Sequence, residues 1–186
     1  MTNPWPIDAL QDAWQLATRM HNGQKYGGSN PGEQIEYMNH VGSVAFEVLT
    51  ASAIEKDLDI HLAIHCAILH DTLEDTALTY GELSSQFGPT IAEGVLALTK
   101  SDAIADKQAK MLDSLTRIKK QPKEVWAVKM ADRITNLYAP PFYWDNEKKK
   151  AYRAEAQLIY DELKAGSRYL AERLARKIEA YQRFLE

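Results

Sequence analysis

LAIHCAILHDTLED, residues 62–75, runs from an almost unbroken apolar stretch straight into a cluster of ionisable side chains. A segment from about Lys56 to Leu73 that is apolar on every side in its second half suits a helix at the centre of an all-helical protein. Such a helix has little reason to end in carboxylates. At about 100° per residue, His70, Asp71, Glu74 and Asp75 project at roughly 0°, 100°, 40° and 140°, so all four share one side if the helix persists that far. Three carboxylates crowded together repel one another and are costly to desolvate, and a divalent cation among them resolves the conflict.

A second informative stretch is KMADRITN, residues 129–136. Trp126, Met130, Ile134 and Leu137 form an apolar stripe there, while Lys129, Asp132, Arg133 and Asn136 line an arc beside it. Taken alone, the arc reads as a solvated face with an Asp–Arg neighbour pair; taken with HDTLED, it reads as the wall of a cavity. His40, in YMNHVGSVAFEV, is open in the same way between packing and offering a neutral imidazole to a metal. Histidine nitrogen with carboxylate oxygen suits Mn²⁺, Fe²⁺, Zn²⁺ or Mg²⁺, and two His with two Asp lean toward manganese. The rival pair His61 and His65 lacks the glutamate of an H-E-x-x-H zinc site and lies about 140° around the helix from residue 70, so it is expected to be structural. His21 reads as a helix-surface residue near a site entrance.

The rest of the chain also reads as helices. Helical spacing covers residues 9–20 with a stop at Gly23, then Tyr37 to about Ala51, and further segments near 90–99, 105–119, 123–138, 147–164 and 167–185. Thr79 and Glu82 have the form of a capping box, Gly88 ends the helix they start, and Pro122 suits a helix start, whereas Pro140-Pro141 enforces a break. Residues 27–34, GGSNPGEQ, read as a polar loop, and no alternating stretch is long enough to found a sheet. The expectation is an all-α bundle of about eight to ten helices forming one domain over residues 1–186.

Composition narrows the function classes. Hydrophobic residues are 45% and charged ones 26% of the chain, as in ordinary globular proteins. The net charge of −4 argues against a broad nucleic-acid surface, but leaves room for a small anion held by a local group of Lys25, Lys100, Lys129 and Arg133. No apolar run approaches the roughly 20 residues of a membrane span, and MTNPWPIDAL lacks the regions of a signal peptide, so a cytoplasmic protein with no membrane partner is expected. The single cysteine, Cys66, has an apolar setting that suits a buried structural thiol. Lys148-Lys149-Lys150 reads as a solvated helix start.

With these residues in place, the chain resembles the HD-domain proteins, specifically the hydrolase domain of the Rel/Spo alarmone enzymes and their small stand-alone relatives. The resemblance is carried by ATRMHNGQKY, YMNHVGSVA, CAILHDTLEDT, FGPTIAEGVLALTK and VKMADRITNL, in that order over most of the chain. It implies His40, His70, Asp71 and Asp132 as metal ligands, Glu74 and Asp75 as the pair that positions and deprotonates the attacking water, and Asn136 as a contact to the nucleotide sugar. It further implies hydrolysis of the 3′-pyrophosphate of guanosine tetra- or pentaphosphate, usually with Mn²⁺. Lys129 and Arg133 can then meet the pyrophosphate charge.

The chain departs from the family pattern after Gly23-Gln24, where Tyr26 and Gly27 stand at positions expected to be basic and Val41 replaces a proline. Lys25 is expected to compensate as a substrate contact. Two alternatives stay open: a hydrolase of the same chemistry acting on another phosphate ester such as NADPH, and a non-catalytic nucleotide-binding module. The family's downstream synthetase domain is not expected, and association between copies is undecided.

Overall fold

The computed structural model describes residues 7–185. The start of the chain, read above for a leader, lies at 1–6 outside the described residues. Among the described residues there are ten α-helices: α1 Ile7–Met20, α2 Tyr37–Ile54, α3 Ile60–Leu69, α4 Thr72–Asp75, α5 Tyr80–Phe87, α6 Pro89–Leu98, α7 Lys107–Ile118, α8 Lys123–Asn136, α9 Asn146–Leu163 and α10 Arg168–Ala180. No helix among them is long and apolar enough to cross a membrane.

Local chemistry sets the helix starts. Asp59 caps α3 by accepting from the His61 and Leu62 amides, and Thr79 and Glu82 form the expected reciprocal capping box at α5. Gly88, at φ 85°, turns the chain between α5 and Pro89 at the start of α6, a backbone conformation that costs a side-chain-bearing residue energy. Asp106, Asp145 and Ser167 cap α7, α9 and α10 in the same manner.

Two helices form the centre. Every residue of α3 from Leu62 to Leu69 is buried, as is α8 from Glu124 to Arg133 apart from Trp126, and α2 packs on both. Burial on all sides is why α3 carries no amphipathic pattern. Gly94 of α6 is squeezed against this centre: a Cβ there would stand 2.8 Å from Cys66 Sγ and 3.1 Å from a Val125 methyl, so only glycine lets α6 approach. Cys66 is wholly buried, as expected of a structural thiol. Glu124 accepts the Asp59 amide at 2.8 Å, tying the starts of α8 and α3 together.

Three expectations are corrected. The segment 56–73 is not one helix: α3 stops at Leu69, His70 caps it, Asp71 takes φ −103° and ψ 0°, and a separate single turn, α4, follows. Residues 167–185 divide into α10 and a 3₁₀ turn, Tyr181–Phe184. The polar loop is flanked by a small antiparallel hairpin, β1 Lys25–Gly27 and β2 Gln34–Glu36, with Tyr26 opposite Ile35. Three-residue strands are too short to leave a readable alternation.

Candidate metal centre

Three elements converge on one wall of a cavity of about 690 Å³. His40 comes from the first turn of α2, His70 and Asp71 from the break after α3, and Asp132 from α8. The His40 and His70 Nε2 atoms lie 3.2 Å apart. Asp71 Oδ2 is 2.9 Å from His70 Nε2 and 3.7 Å from His40 Nε2, and Asp132 Oδ1 is 3.5 Å from His40 Nε2. Donor atoms of His40, His70 and Asp132 all fall within 4.8 Å of one another.

The hydrogen bonds on the far side of each ring decide what these nitrogens offer. His70 Nδ1 lies 2.8 Å from the Ala67 carbonyl, which can only accept, so the proton sits on Nδ1. Thr135 Oγ1 donates to the Asp132 carbonyl at 2.9 Å and therefore accepts from His40 Nδ1 at 3.2 Å. Both neutral rings then point an Nε2 lone pair at the same spot. Two lone pairs at that separation repel unless a proton or a metal lies between them. Adjacent ligands around a cation at about 2.1 Å stand roughly 3 Å apart, so the His40, His70 and Asp132 donors fit one divalent ion, while Asp71 falls outside that group and stands beside it against His70.

The carboxylates around the rings favour positive charge at this spot. Burial pulls the His70 pKa down, but Asp71 and Asp132 outweigh it and raise it to about 9. Burial likewise opposes ionisation of Asp71, yet His70 and His40 hold it well below the usual carboxylate range. Asp132 is held low against its own burial by Lys129 and His70.

Glu74 and Asp75 both line the cavity, although α4 rather than a continued α3 presents them. Glu74 is clasped by Lys100, accepting from its amide at 2.8 Å and its ammonium at 3.1 Å. Asp75 lies 3.3 Å from the Tyr37 hydroxyl, and burial, with Asp71 and Glu74 adding to it, raises its pKa.

The predicted substrate contacts divide. Lys129, Arg133 and Asn136 line the cavity. Lys129 Nζ bonds Asp132 Oδ2 at 2.9 Å, and Asn136 Nδ2 bonds Asp132 Oδ1 at 2.6 Å, so both orient that carboxylate. Arg133 pairs with Glu155 and lies 4.2 Å over the Tyr152 ring. Its Nε and Nη1 are buried without a partner. Lys25 is a correction: it stands on the outer side of β1, paired with Glu36 at 2.8 Å, and does not line the cavity. At Gly27 the Tyr143 ring lies 3.0 Å from where a Cβ would be, so an aromatic wall occupies the place of a basic side chain.

His61 and His65 stay apart from the cluster, with His65 Nδ1 bonded to the His61 carbonyl at 2.7 Å on its own helix. His21 is not a surface residue; it is 2% exposed and stacks on Tyr37. Sequence reasoning missed Tyr37, Gln24 and Thr135, whose partners lie 34, 51 and 95 positions away and leave no local pattern.

The pattern of the HD-domain family matches residues 13–168. The chain belongs to the HD-domain family. Its relatives within the family include the guanosine-3′,5′-bis(diphosphate) 3′-pyrophosphohydrolase of Aquifex aeolicus, 32% identical over 159 residues that cover 84% of this chain and 21% of the relative. The chain thus spans about a fifth of that longer protein. The MESH1 3′-pyrophosphohydrolase of Danio rerio is 28% identical over 89% of each chain. A solved structure, described as a metazoan ortholog of SpoT that hydrolyses ppGpp, superposes with a TM-score of 0.80 at 25% identity, covering 98% of this chain and 99% of the other.

Proposed function

We propose that this chain, as one HD-type unit, is a metal-dependent phosphohydrolase that removes the 3′-pyrophosphate of guanosine tetra- or pentaphosphate, giving GDP or GTP and pyrophosphate. The observation that carries the reading is the pair of inward Nε2 lone pairs on His40 and His70, set among the Asp71 and Asp132 carboxylates in the cavity wall. Those four residues hold the ion, and manganese is the proposed occupant because mixed histidine and carboxylate donors suit it. Support for the substrate comes from the relatives, one of which, the Danio rerio 3′-pyrophosphohydrolase, is matched over 89% of each chain.

When bound, the cation acidifies water and polarises the phosphoryl oxygen. The protein's part is placement and proton transfer. Asp75, whose raised pKa makes it a better proton acceptor than a free aspartate, takes the proton of the attacking water, while Glu74, anchored by Lys100, orients that water. The water oxygen bonds the phosphorus attached to the ribose 3′ oxygen as the bond between that phosphorus and the 3′ oxygen breaks. The 3′ oxygen takes a proton from solvent as it leaves and becomes a hydroxyl, and Asp75 returns its proton to solvent. Lys129 and the unpartnered edge of Arg133 face the negative charge of the departing pyrophosphate. Asn136 is the proposed sugar contact. The proposed partner is therefore a small nucleotide of the cytoplasm.

One observation favours a second reading, a different phosphate ester such as NADPH. Among the described residues, all three lysines and arginines lining the cavity carry an ion pair, Lys100 with Glu74, Lys129 with Asp132 and Arg133 with Glu155. Little uncommitted positive charge remains for a second diphosphate. Turnover of guanosine tetraphosphate, NADPH and nucleotide monophosphates, measured side by side with Mn²⁺, separates the readings. The first fails if the guanosine compound is inert while another is cleaved.

A further inference from the structure

Asp71 and Asp75 sit where the backbone gives them least support. Asp71 occupies the break between α3 and α4, and Asp75 ends a single helical turn of four residues. Neither carboxylate direction is fixed by a continuing helix. Both are instead reached by one side chain from a distant part of the chain.

Tyr37 is the first residue of α2, and its amide is tied to the Gln24 carbonyl at 3.0 Å. Its hydroxyl donates to Asp71 Oδ2 and stands 3.3 Å from Asp75 Oδ2. The ring cannot turn away, because it is walled in on several sides. The His21 imidazole stacks on it at 4.8 Å, the Tyr26 edge meets it at 6.5 Å, and the His40 ring packs at 5.5 Å. His21 is itself fixed, with Nδ1 2.5 Å from Gln24 Oε1. Gln24 Nε2 then donates to the Asp75 carbonyl at 2.7 Å. The contacts form a closed circuit: Tyr37 donates to Asp71 and stands against Asp75, Gln24 holds the Asp75 backbone, and His21 joins Gln24 to the Tyr37 ring.

We infer that Tyr37 is a positioning residue, backed by His21 and Gln24, which sets the direction of the Asp71 carboxylate toward the cation and of the Asp75 carboxylate toward the attacking water. One hydroxyl bridging a metal-site carboxylate and a proton acceptor couples their orientations, so a change at either is felt at the other. The inference rests on the roles proposed above for Asp71 and Asp75. Partners of this kind that orient metal ligands typically carry about 10–100-fold of metal affinity or activity.

The test is Tyr37→Phe, which removes only the hydroxyl and keeps the stacked ring, with His21→Asn as a second variant that loosens the stack. Mn²⁺ affinity, kcat and KM are measured on the full chain, with circular dichroism to establish folding. Tyr37→Phe is expected to weaken Mn²⁺ binding about tenfold and, at saturating metal and substrate, to lower kcat about 10–100-fold with KM within about threefold. His21→Asn is expected to give a smaller loss of the same kind. A folded Tyr37→Phe protein with wild-type kcat at saturating metal overturns the inference, because a merely structural hydroxyl would alter stability and leave kcat alone. Absence of 3′-pyrophosphate hydrolysis by the wild-type chain counts against the proposed function instead. Mn²⁺ affinity then still decides for Tyr37, and an unchanged value overturns its role.

Discussion

Replacing Lys129 by methionine isolates the electrostatics of the centre, because the lysine touches the metal site only through Asp132. The residue is 6% exposed, and its ammonium lies 2.9 Å from Asp132 Oδ2. Removing one partner of a buried pair costs about 3–5 kcal/mol, since the other charge is left uncompensated. Asp132 keeps the Asn136 amide at 2.6 Å, which puts the loss near the lower bound, about 3 kcal/mol. For a chain of this size that is a fall in Tm of roughly 6–12 °C in EDTA. Removing the ammonium also removes its repulsion of a bound cation, so the variant should bind Mn²⁺ more tightly, and each tenfold gain restores about 1.4 kcal/mol. Thermal unfolding of both proteins in EDTA and in excess Mn²⁺ reads both effects. Equal Tm values in EDTA, or a gap that metal leaves untouched, would refute the reasoning.

Glu74→Gln should keep about one equivalent of Mn²⁺ while turnover drops about a hundredfold, measured by pyrophosphate release, because the amide cannot orient the water as the carboxylate does. Lys25→Ala should turn over within about twofold of wild type, since exposed pairs such as Lys25 with Glu36 contribute little and this one lies off the cavity. Cys66 should resist a thiol reagent at pH 8: burial, reinforced by Glu124, pushes its pKa to about 12, leaving about one thiolate in ten thousand. Labelling of the native protein within minutes would contradict that burial.

Much of the centre was legible because two of its parts are local words. HDTLED carries two proposed ligands and the carboxylate pair within six residues, and KMADRITN places Asp132, Lys129 and Asn136 on one helix face, where the structure keeps them. The helix count followed from caps and breakers such as Thr79, Gly88 and Pro122, which act within a few residues. What escaped was set by tertiary contact. An angular argument from residue 70 to 75 assumes an unbroken helix, and the turn at Asp71 removed that assumption while delivering the side chains to the same cavity by another route. The apolar run that marks α3 as central says nothing of how it ends. Lys25 looked available because a lysine beside a glycine-rich loop carries no sign of which strand face it takes, and pairing with Glu36 turned it outward. His21 looked exposed because Tyr37, whose ring stacks on it, lies 16 positions on in the chain.

The central claim is that His40, His70, Asp71 and Asp132 jointly hold one divalent ion. Metal content after EDTA treatment, reloading with Mn²⁺ and removal of the excess tests it without reference to any substrate. About one equivalent per wild-type chain and less than a tenth per chain of a folded Asp71→Ala variant is the predicted result. Equal metal content in the two proteins, or none in either, would contradict it.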